Sequence, residues 1–323
     1  MIRFIFVRLI QAVPTLLGVT FLSFIIIKMA PGDYLDQLRL NPQISPETIE
    51  LLKKQYGLDK PAIVQYIKWL KSALVFDLGY SFQYHAPVTE LIKERIGNTL
   101  LLTLTSGVLS WIFAILLGFL AGFKEDTWID RLIKVYAYTF MSFPSFFLAF
   151  ILLLIASKTG ILPVGGMHSV GFEHMNLFEK VIDLSKHMLI PVFTLTFVST
   201  ASMVRLVRSS VIEVLHSPIV IFLRAKGVSH WVMIKHIFKN VMNPFTTLIG
   251  YEIAGLLSGA ALIEIIVGWP GLGLLMLDAV LSQDLFLVMG GLYIGTIMLL
   301  LGNLVADILL ALIDPRIRER ELS

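Results

Sequence analysis

Three acidic residues lie within long apolar stretches of the sequence, and they are the first candidates for chemistry. Glu252 and Glu264 fall in the stretch 245–267, and Asp307 falls in the stretch 285–312. Ionisable groups at membrane depth are costly and usually face a bundle interior or a water-filled cavity. We interpret them as candidates for the lining of a pathway or gate. A structural hydrogen bond, or a position near the water boundary, is the alternative.

Glu264 is the strongest of these candidates because it lies little more than one helical turn before a tight turn. That turn contains Trp269, Pro270 and Gly271. We predict it at the outer end of its span, where it would shape an external mouth. Asp307 lies near the predicted inner end of its span, where a basic residue can pair with it.

The sequence motifs of hydrolases and ATPases are missing. The seven histidines are dispersed, and neither His-Glu-x-x-His nor Gly-x-Ser-x-Gly occurs. There is no cysteine for a thiolate site and no Gly-x-x-x-x-Gly-Lys-Ser/Thr loop for ATP phosphates. We expect no catalytic, cofactor-binding or metal-ligating residue in this chain, and an intramembrane enzyme is the alternative from another class.

The composition indicates a chain whose solvent is largely lipid. Its 323 residues are 56% hydrophobic and 15% charged, with a mean hydropathy of +0.81. Soluble domains are about 45–50% apolar and about 25% charged, so disordered, fibrous and ordinary cytosolic proteins are excluded. Membrane proteins collect basic residues on one side, so the net charge of +3 does not call for a nucleic-acid partner, and we expect none.

Six apolar stretches approach the roughly 20 residues that a helix needs to cross a bilayer core. They cover residues 9–27, 99–123, 135–156, 188–204, 245–267 and 285–312. Pro144 and Pro191 predict kinks in the third and fourth. Basic residues concentrate in alternate connecting segments, which places both termini in the cytoplasm. The predicted fold is therefore an all-α membrane protein with six transmembrane helices.

Small residues at helical spacing in the last two spans predict close approach of neighbouring helices, with contact to another subunit as the alternative for some of them. They are Gly255, Ser258 and Gly259 in the fifth span and Gly291, Gly295 and Gly302 in the sixth. Small side chains let helices approach closely in lipid, where apolar burial does not drive association.

Residues 31–98 form the one sizeable polar region that we predict outside. Ser45 with Pro46 predicts the start of a helix that ends at Gly57, and Pro61 and Pro87 predict the starts of two more. We expect a small external helical cap, too small for an independent catalytic domain. The predicted domains are 1–98 (anchor helix and cap), 99–313 (a five-helix transmembrane domain) and 314–323 (a cytoplasmic tail).

The predicted cytoplasmic segment 205–243 is long for a connection within a helical bundle. Ser217 with Pro218 predicts a short helix that ends at Gly227, and Ser229 predicts the cap of a second helix. Beyond Arg205 and Arg208 at its start, Arg224, Lys226, Lys235 and Lys239 give the segment a basic surface. Two capped helices favour a docking element for a cytoplasmic partner over a solvated loop.

In its order of motifs the sequence resembles the permeases of the oligopeptide/dipeptide/nickel group of ABC importers over essentially the whole chain. The segments that carry the resemblance are 29–33, 57–61, 77–81, 209–215, 223–227, 264–273 and 314–318, together with His236 and Asn240. The family's Glu-Ala-Ala signature is not kept, since Ile221, Phe222 and Leu223 occupy that neighbourhood.

The resemblance implies a permease subunit of a binding-protein-dependent importer in a bacterial or archaeal cell membrane. It implies a second homologous permease, two cytoplasmic ATPases that bind Mg-ATP, and an extracytoplasmic binding protein. It also implies a coupling helix against the ATPase. The residues expected there are Pro218, Arg224, Ala225, Lys226, Gly227 and His236.

The sequence leaves alternatives open for the cargo and for the mode of transport. Within the resembled group we favour di- and oligopeptides, with nickel or metal chelates and oligosaccharides as alternatives. A stand-alone channel or secondary transporter is a further alternative. No repeat relates the two halves of the sequence, and only three acids lie within the spans, which speaks against that mode.

Overall fold

The computed structural model describes residues 2–30, 32, 34–39, 43–245 and 260–313. Glu252, Gly255, Ser258, Gly259 and the predicted tail 314–323 lie outside the described residues. The described α-helices are α1 (Ile2–Met29), α2 (Tyr34–Arg39), α3 (Pro46–Gln55), α4 (Ala62–Ala73), α5 (Val88–Phe123), α6 (Trp128–Ser142), α7 (Ser145–Thr159), α8 (Leu177–Leu215), α9 (Pro218–Ala225), α10 (His230–Phe245), α11 (Ala260–Val267 in its described part), α12 (Leu272–Leu281) and α13 (Leu285–Ile313).

Four of these helices, α1, α5, α8 and α13, are each long and apolar enough to cross a membrane. Two pairs of shorter helices, α6 with α7 and α11 with α12, qualify if each pair is counted as one span. The described part of the chain therefore holds four candidate spans, or up to six, in agreement with a mostly helical membrane protein. A count of exactly six and the sidedness of the termini stay predictions.

The third predicted span, 135–156, is not one continuous helix. Helix α6 ends at Ser142, α7 begins at Ser145, and the two axes differ by 100°. Pro144 disfavours a helical conformation in the residue before it, and Phe143 is extended, with ψ of 125°. The predicted kink is therefore a full break. Pro191 lies inside the unbroken helix α8, which extends well beyond the predicted 188–204 at both ends.

Two further segments differ from prediction. Residues 268–284, predicted as an outer loop, contain α12, which buries Leu272, Leu275 and Ala279. The all-α prediction omits an antiparallel hairpin of β1 (Tyr80–Ser81) and β2 (Ala86–Pro87). Because Pro87 pairs in this hairpin, the helix that it was predicted to start begins at Val88 instead.

The ends of helix α3 agree with the sequence signals. Ser45 Oγ accepts the Thr48 amide at 3.2 Å, and Pro46 is the first helical residue. Gly57 follows the helix with φ of +69°, the left-handed conformation that glycine adopts without strain. Hydrogen bonds from its own amide and from Ser45 lower the pKa of Glu47 in the first turn.

Residues 1–99 and 270–301 form one compact unit, called here the N-terminal unit. Its core includes Phe24, Trp69, Leu275 and Met289. Trp69 Nε1 donates to the carbonyl of Leu78 at 3.2 Å, which satisfies the buried indole.

Asp284 attaches the β-hairpin to the start of α13 within this unit. Its carboxylate is fully buried and accepts the Ser81 hydroxyl at 2.7 Å, the Gln83 amide at 3.0 Å and the Leu287 amide at 3.1 Å. Three donors compensate the cost of burying the carboxylate. The hairpin is therefore a fixed part of the unit.

Of the small residues predicted to pack closely, Gly291 does so within the chain, whereas the space beside Gly295 is open, which leaves contact with another subunit as its predicted alternative. A Cβ at Gly291 would overlap the Met276 side chain of α12, but one at Gly295 would meet nothing within 4 Å.

Residues 100–269 and 302–323 form the second compact unit. Within it α5 and α8 approach closely at two glycines one turn apart. A Cβ at Gly118 would lie 2.4 Å from Val207 Cβ, and one at Gly122 would lie 2.5 Å from Val211 Cγ1. The Gly-x-x-x-Gly spacing in α5 was the available signal for this contact, and the sequence analysis missed it.

Candidate functional site

Helices α9 and α10 with the turn between them form the first candidate site, called here the elbow (residues 217–245). Ser217 Oγ accepts the Val220 amide at 3.4 Å, and Pro218 occupies the first turn of α9. The helix ends at Ala225, and Gly227, the predicted end signal, follows two residues later with φ of +66°. The Gly227 amide donates to the Arg224 carbonyl at 3.0 Å, and the next amide donates to the Leu223 carbonyl at 3.3 Å. This pattern closes the helix end and fixes the turn.

Among the described residues, only one side of α9 is covered. Val220 is its buried residue, and it packs in a cluster with Val211 of α8 and with Ile237, Val241 and Phe245 of α10. The elbow is therefore anchored to the end of α8 through a small apolar core.

The uncovered side of α9 is apolar as well as basic. Ile219, Ile221 and Phe222 are 56%, 58% and 56% exposed, and Arg224 and Lys226 are also exposed. The Lys226 ammonium lies 4.6 Å from the centre of the Phe222 ring, within the range of a cation–π contact. From the sequence, only the positive charges of this side are predicted to contact a partner, whereas Ile221 and Phe222 stand out only as a departure from the family signature.

The remaining predicted residues of the elbow lie at separate places. Ala225 is the last, exposed residue of α9, whereas His236 lies partly buried on α10. The His236 carbonyl accepts the side-chain amide of Asn240 at 2.8 Å within the same helix. His236 therefore belongs to the second helix of the elbow, whereas the other five predicted residues lie in α9 and the turn directly after it.

An ion-pair cluster that the sequence analysis missed joins α6 to α8. Arg208 binds the fully buried Asp130 carboxylate through two nitrogens, at 2.6 and 2.9 Å. Lys134 Nζ lies 3.0 Å from the same carboxylate, and the Asp126 amide donates to it at 3.0 Å. Such a two-bond pairing is strong and directional. It fixes the part of α8 that leads to the elbow.

The second candidate site is the Trp269 turn (residues 264–271). Glu264 and Trp269 are both fully buried, and the Trp269 amide donates to the Glu264 carbonyl at 2.8 Å. Gly268 has φ of +63°, so a left-handed residue ends α11. The Val267 carbonyl accepts the Gly166 amide at 2.8 Å. Glu264 and Trp269 therefore belong to the interior of the second unit.

Pro270 and Gly271 belong to the N-terminal unit, where side chains of α5 bind their backbone region. Asn98 Nδ2 donates to the Pro270 carbonyl at 2.8 Å, and the Thr99 hydroxyl accepts the Leu272 amide at 2.8 Å. Gly271 precedes α12 in extended conformation and offers no side-chain cap of its own. Asn98 and Thr99 thus supply the contacts that fix the start of α12.

Neither candidate site has the make-up of a metal centre. Within the described ranges, no three histidine, aspartate or glutamate side chains are grouped so as to hold a metal ion. The elbow offers apolar and cationic side chains on one exposed side, which suits contact with another protein better than bond-breaking chemistry.

Comparison with known proteins gives one consistent family. The sequence model described as "binding-protein-dependent transport system inner membrane component" matches residues 114–319. The model of the N-terminal part of such membrane components matches residues 1–103.

Full-length relatives agree. The chain is 36% identical over 320 residues to the oligopeptide transport system permease protein AppB of Bacillus subtilis (strain 168), covering 98% of this chain and 99% of AppB. It is 34% identical over 323 residues to a putative peptide permease protein of Brucella suis biovar 1 (strain 1330), with the same coverage. It is 34% identical over 320 residues to the glutathione transport system permease protein GsiC of Escherichia coli (strain K12), again covering 98% and 99%. Because family models match most of the chain and relatives above 30% identity match nearly all of it, the chain belongs to the family of binding-protein-dependent transport system inner membrane components.

Proposed function

We propose that the chain is the transmembrane permease subunit of an ATP-driven ABC importer, and that it carries di- and oligopeptides. The observation that carries this proposal is the elbow, a capped helix with an exposed apolar and basic side, in a chain whose sequence has no P-loop. A permease without its own nucleotide site needs a partner that hydrolyses ATP. The exposed side of the elbow is suited to bind that partner.

In this proposal the chain crosses the membrane six times, with both termini and the elbow in the cytoplasm and the cap (residues 31–98) outside. The distribution of basic residues along the sequence supports this sidedness. A second homologous permease completes the pathway, two ATPases bind Mg-ATP, and an extracytoplasmic binding protein delivers the cargo.

We assign the ATPase contact to α9 and the turn after it. Ile219 and Phe222 would fill an apolar groove, while Arg224 and Lys226 would meet acidic or polar groups around it. The small side chain of Ala225 permits close approach, Pro218 starts the helix and Gly227 ends it. His236 would flank the contact from α10. The anchoring of Val220 in the apolar cluster below α9 supports transmission of a movement from α9 to α8.

We assign the pathway or gate to Glu252, Glu264 and the turn of Trp269, Pro270 and Gly271. Glu264 and Trp269 are buried, so a gating role would require the turn to move.

The names of the relatives support a peptide cargo. AppB is named for oligopeptides, GsiC for glutathione, itself a tripeptide, and the Brucella relative for peptides. The binding protein is expected to make most of the choice among peptides.

The coupling role is tested by Gly227→Val in the complete transporter, reconstituted into proteoliposomes with labelled trialanine as cargo. A β-branched residue resists the left-handed conformation, at a cost of about 1–2 kcal/mol, so α9 would end differently. We expect normal insertion and continued ATP hydrolysis, with uptake reduced about tenfold, the factor that such a cost corresponds to.

Gly227→Asn is the matched control, because asparagine tolerates this conformation, and it should retain uptake. Unchanged uptake by Gly227→Val would contradict the docking role. Preference for nickel ions or maltotriose over trialanine would contradict the peptide cargo alone. ATP-independent flux through the isolated chain would favour a channel.

A further inference from the structure

A cavity of about 380 Å³ lies within the N-terminal unit, and the proposed transport function does not use it. It is called here the cap cavity. Its lining comes from α1, the turn after α3, helix α4, the segment before and in the hairpin, and the start of α13. Its volume lies within the range of about 300–1,000 Å³ that is usual for small-molecule sites.

The base of the cap cavity is apolar and firmly packed. Phe24, Trp69 and Met289 are 3%, 6% and 1% exposed. Phe286 packs beside Tyr56, with ring centres 6.1 Å apart. Such a base can receive an apolar or aromatic side chain without first having to reorganise.

The rim of the cap cavity carries charges of both signs. Lys60, Lys68 and Asp77 are exposed, and none of them makes an ion pair with any residue that the structure describes. Asp77 Oδ1 accepts the Gly79 amide at 3.2 Å, which orients the carboxylate. A Cβ at Gly57, also in the lining, would lie 3.8 Å from Lys68 Nζ, so this ammonium lies over the turn after α3.

Gln65 adds an amide of fixed orientation to the lining. Its Nε2 donates to the carbonyls of Leu58 at 3.1 Å and Lys60 at 2.6 Å, which determines which end of the amide is nitrogen. Its Oε1 is buried, and the described residues offer it no hydrogen-bond donor. Buried acceptors are normally satisfied, so this oxygen favours a ligand that brings an N–H group.

We propose that the cap cavity binds a short zwitterionic peptide with an apolar side chain. The peptide carboxylate would pair with Lys60 and Lys68, and its ammonium with Asp77. Its side chain would pack on Trp69 and Phe286, where the base is apolar. This inference rests on the proposed peptide cargo and adds a second peptide site, on the permease itself, apart from the coupling elbow and the Trp269 turn.

The test measures peptide binding by the assembled transporter in phosphatidylcholine nanodiscs, without the binding protein. The probes are L-alanyl-L-phenylalanine and its N-acetylated and C-amidated forms, measured by equilibrium dialysis. We expect the C-amidated form to bind at least about tenfold more weakly than the free dipeptide, since it loses charge-assisted hydrogen bonds.

Variants assign the site to the cap cavity. We expect Lys60→Ala with Lys68→Ala to weaken dipeptide binding about tenfold. Asp77→Asn should weaken binding of the free dipeptide by a similar factor but leave that of the N-acetylated form unchanged. Lys71→Ala is the matched control, because Lys71 lies on α4 outside the lining, and it should bind normally.

Several results would overturn the proposal. They are no binding by the wild type, binding insensitive to the lysine pair, or displacement by phosphoethanolamine as effective as by the dipeptide, which would indicate a lipid headgroup site. Uptake of trialanine in the same preparation separates the two ideas. Uptake of trialanine without dipeptide binding would reject only the proposed peptide site in the cap cavity. Dipeptide binding without trialanine uptake would reject only the proposed transport function.

Discussion

At the residue scale, Asp130 shows how a buried charge is stabilised in the apolar interior of this protein. Its side chain has no exposed surface, and Arg208 and Lys134 both bind the carboxylate, with the Asp126 amide as a third partner. Removing one member of a buried pair leaves the other uncompensated, which costs more than the pair itself contributes.

Asp130→Asn is therefore expected to lower the free energy of unfolding by about 3 kcal/mol, because Arg208 loses its charged partner. Thermal unfolding of the purified protein in detergent measures this. Lys134→Ala is the comparison, and it should cost less than about 1 kcal/mol, because the Lys134 side chain is 33% exposed and water screens the pair. Equal losses in the two variants would contradict the assignment of Arg208 as the main partner.

Residues whose roles are local could be predicted from the sequence. Ser45, Ser217 and Gly227 act through amides or carbonyls a few positions away, so a short pattern is sufficient to identify them. Asp130 and Arg208 are 78 positions apart. The local sequence around either residue does not identify the other as its partner. Glu264 was recognised as unusual, but its complete burial depends on packing that the sequence does not display.

At the element scale, the contact between α5 and α8 depends on the missing side chains of Gly118 and Gly122. A Cβ added at Gly118 would clash with Val207 Cβ at 2.4 Å. Helices α5 and α8 would have to move apart to relieve this clash. Hydroxyl groups add to the same contact, since Thr196 donates to the Ser106 carbonyl at 3.4 Å.

We expect Gly118→Ala to destabilise the protein by about 1–3 kcal/mol through overpacking, measured by thermal unfolding in detergent. Gly97→Ala is the matched control in the same helix, where a Cβ meets nothing within 4 Å, and it should be neutral or slightly stabilising. Combining Gly118→Ala with Val207→Gly should cost less than the sum of the two changes. Full additivity would contradict the contact.

The two elements that differ most from prediction have a common cause. Apolar periodicity identifies a stretch that avoids water, but it does not distinguish one straight span from two shorter helices or a loop from a buried helix. Pro144 could be read as either a kink or a break, and the extended conformation of Phe143 before it makes it a break. Helix α12 buries its apolar residues Leu272, Leu275 and Ala279, although the sequence segments on either side of it contain turn residues.

At the scale of the whole molecule, the chain is a family member with candidate membrane-spanning helices and an exposed elbow that we propose docks on a partner. The family and the mostly helical fold were predictable because ordered motifs extend along the whole sequence. The division into two compact units could not be predicted from the sequence. Residues 270–301 pack with residues 1–99, although 170 residues separate them in the chain. The predicted domain division at residue 98 stays a prediction.

The central claim is that the elbow lies in the cytoplasm and docks on an ATPase. The sequence has no cysteine, so single cysteines can be introduced without removing others. We would compare Lys226→Cys in the elbow with Lys71→Cys in the cap, both exposed positions, using a membrane-impermeant maleimide on intact cells and on permeabilised cells.

We expect Lys71→Cys to be labelled in intact cells and Lys226→Cys to be labelled only after permeabilisation. Labelling of Lys226→Cys should then fall when the ATPase subunits are co-expressed, because they cover α9. Labelling of Lys226→Cys in intact cells, or labelling unaffected by the ATPase subunits, would contradict the central claim.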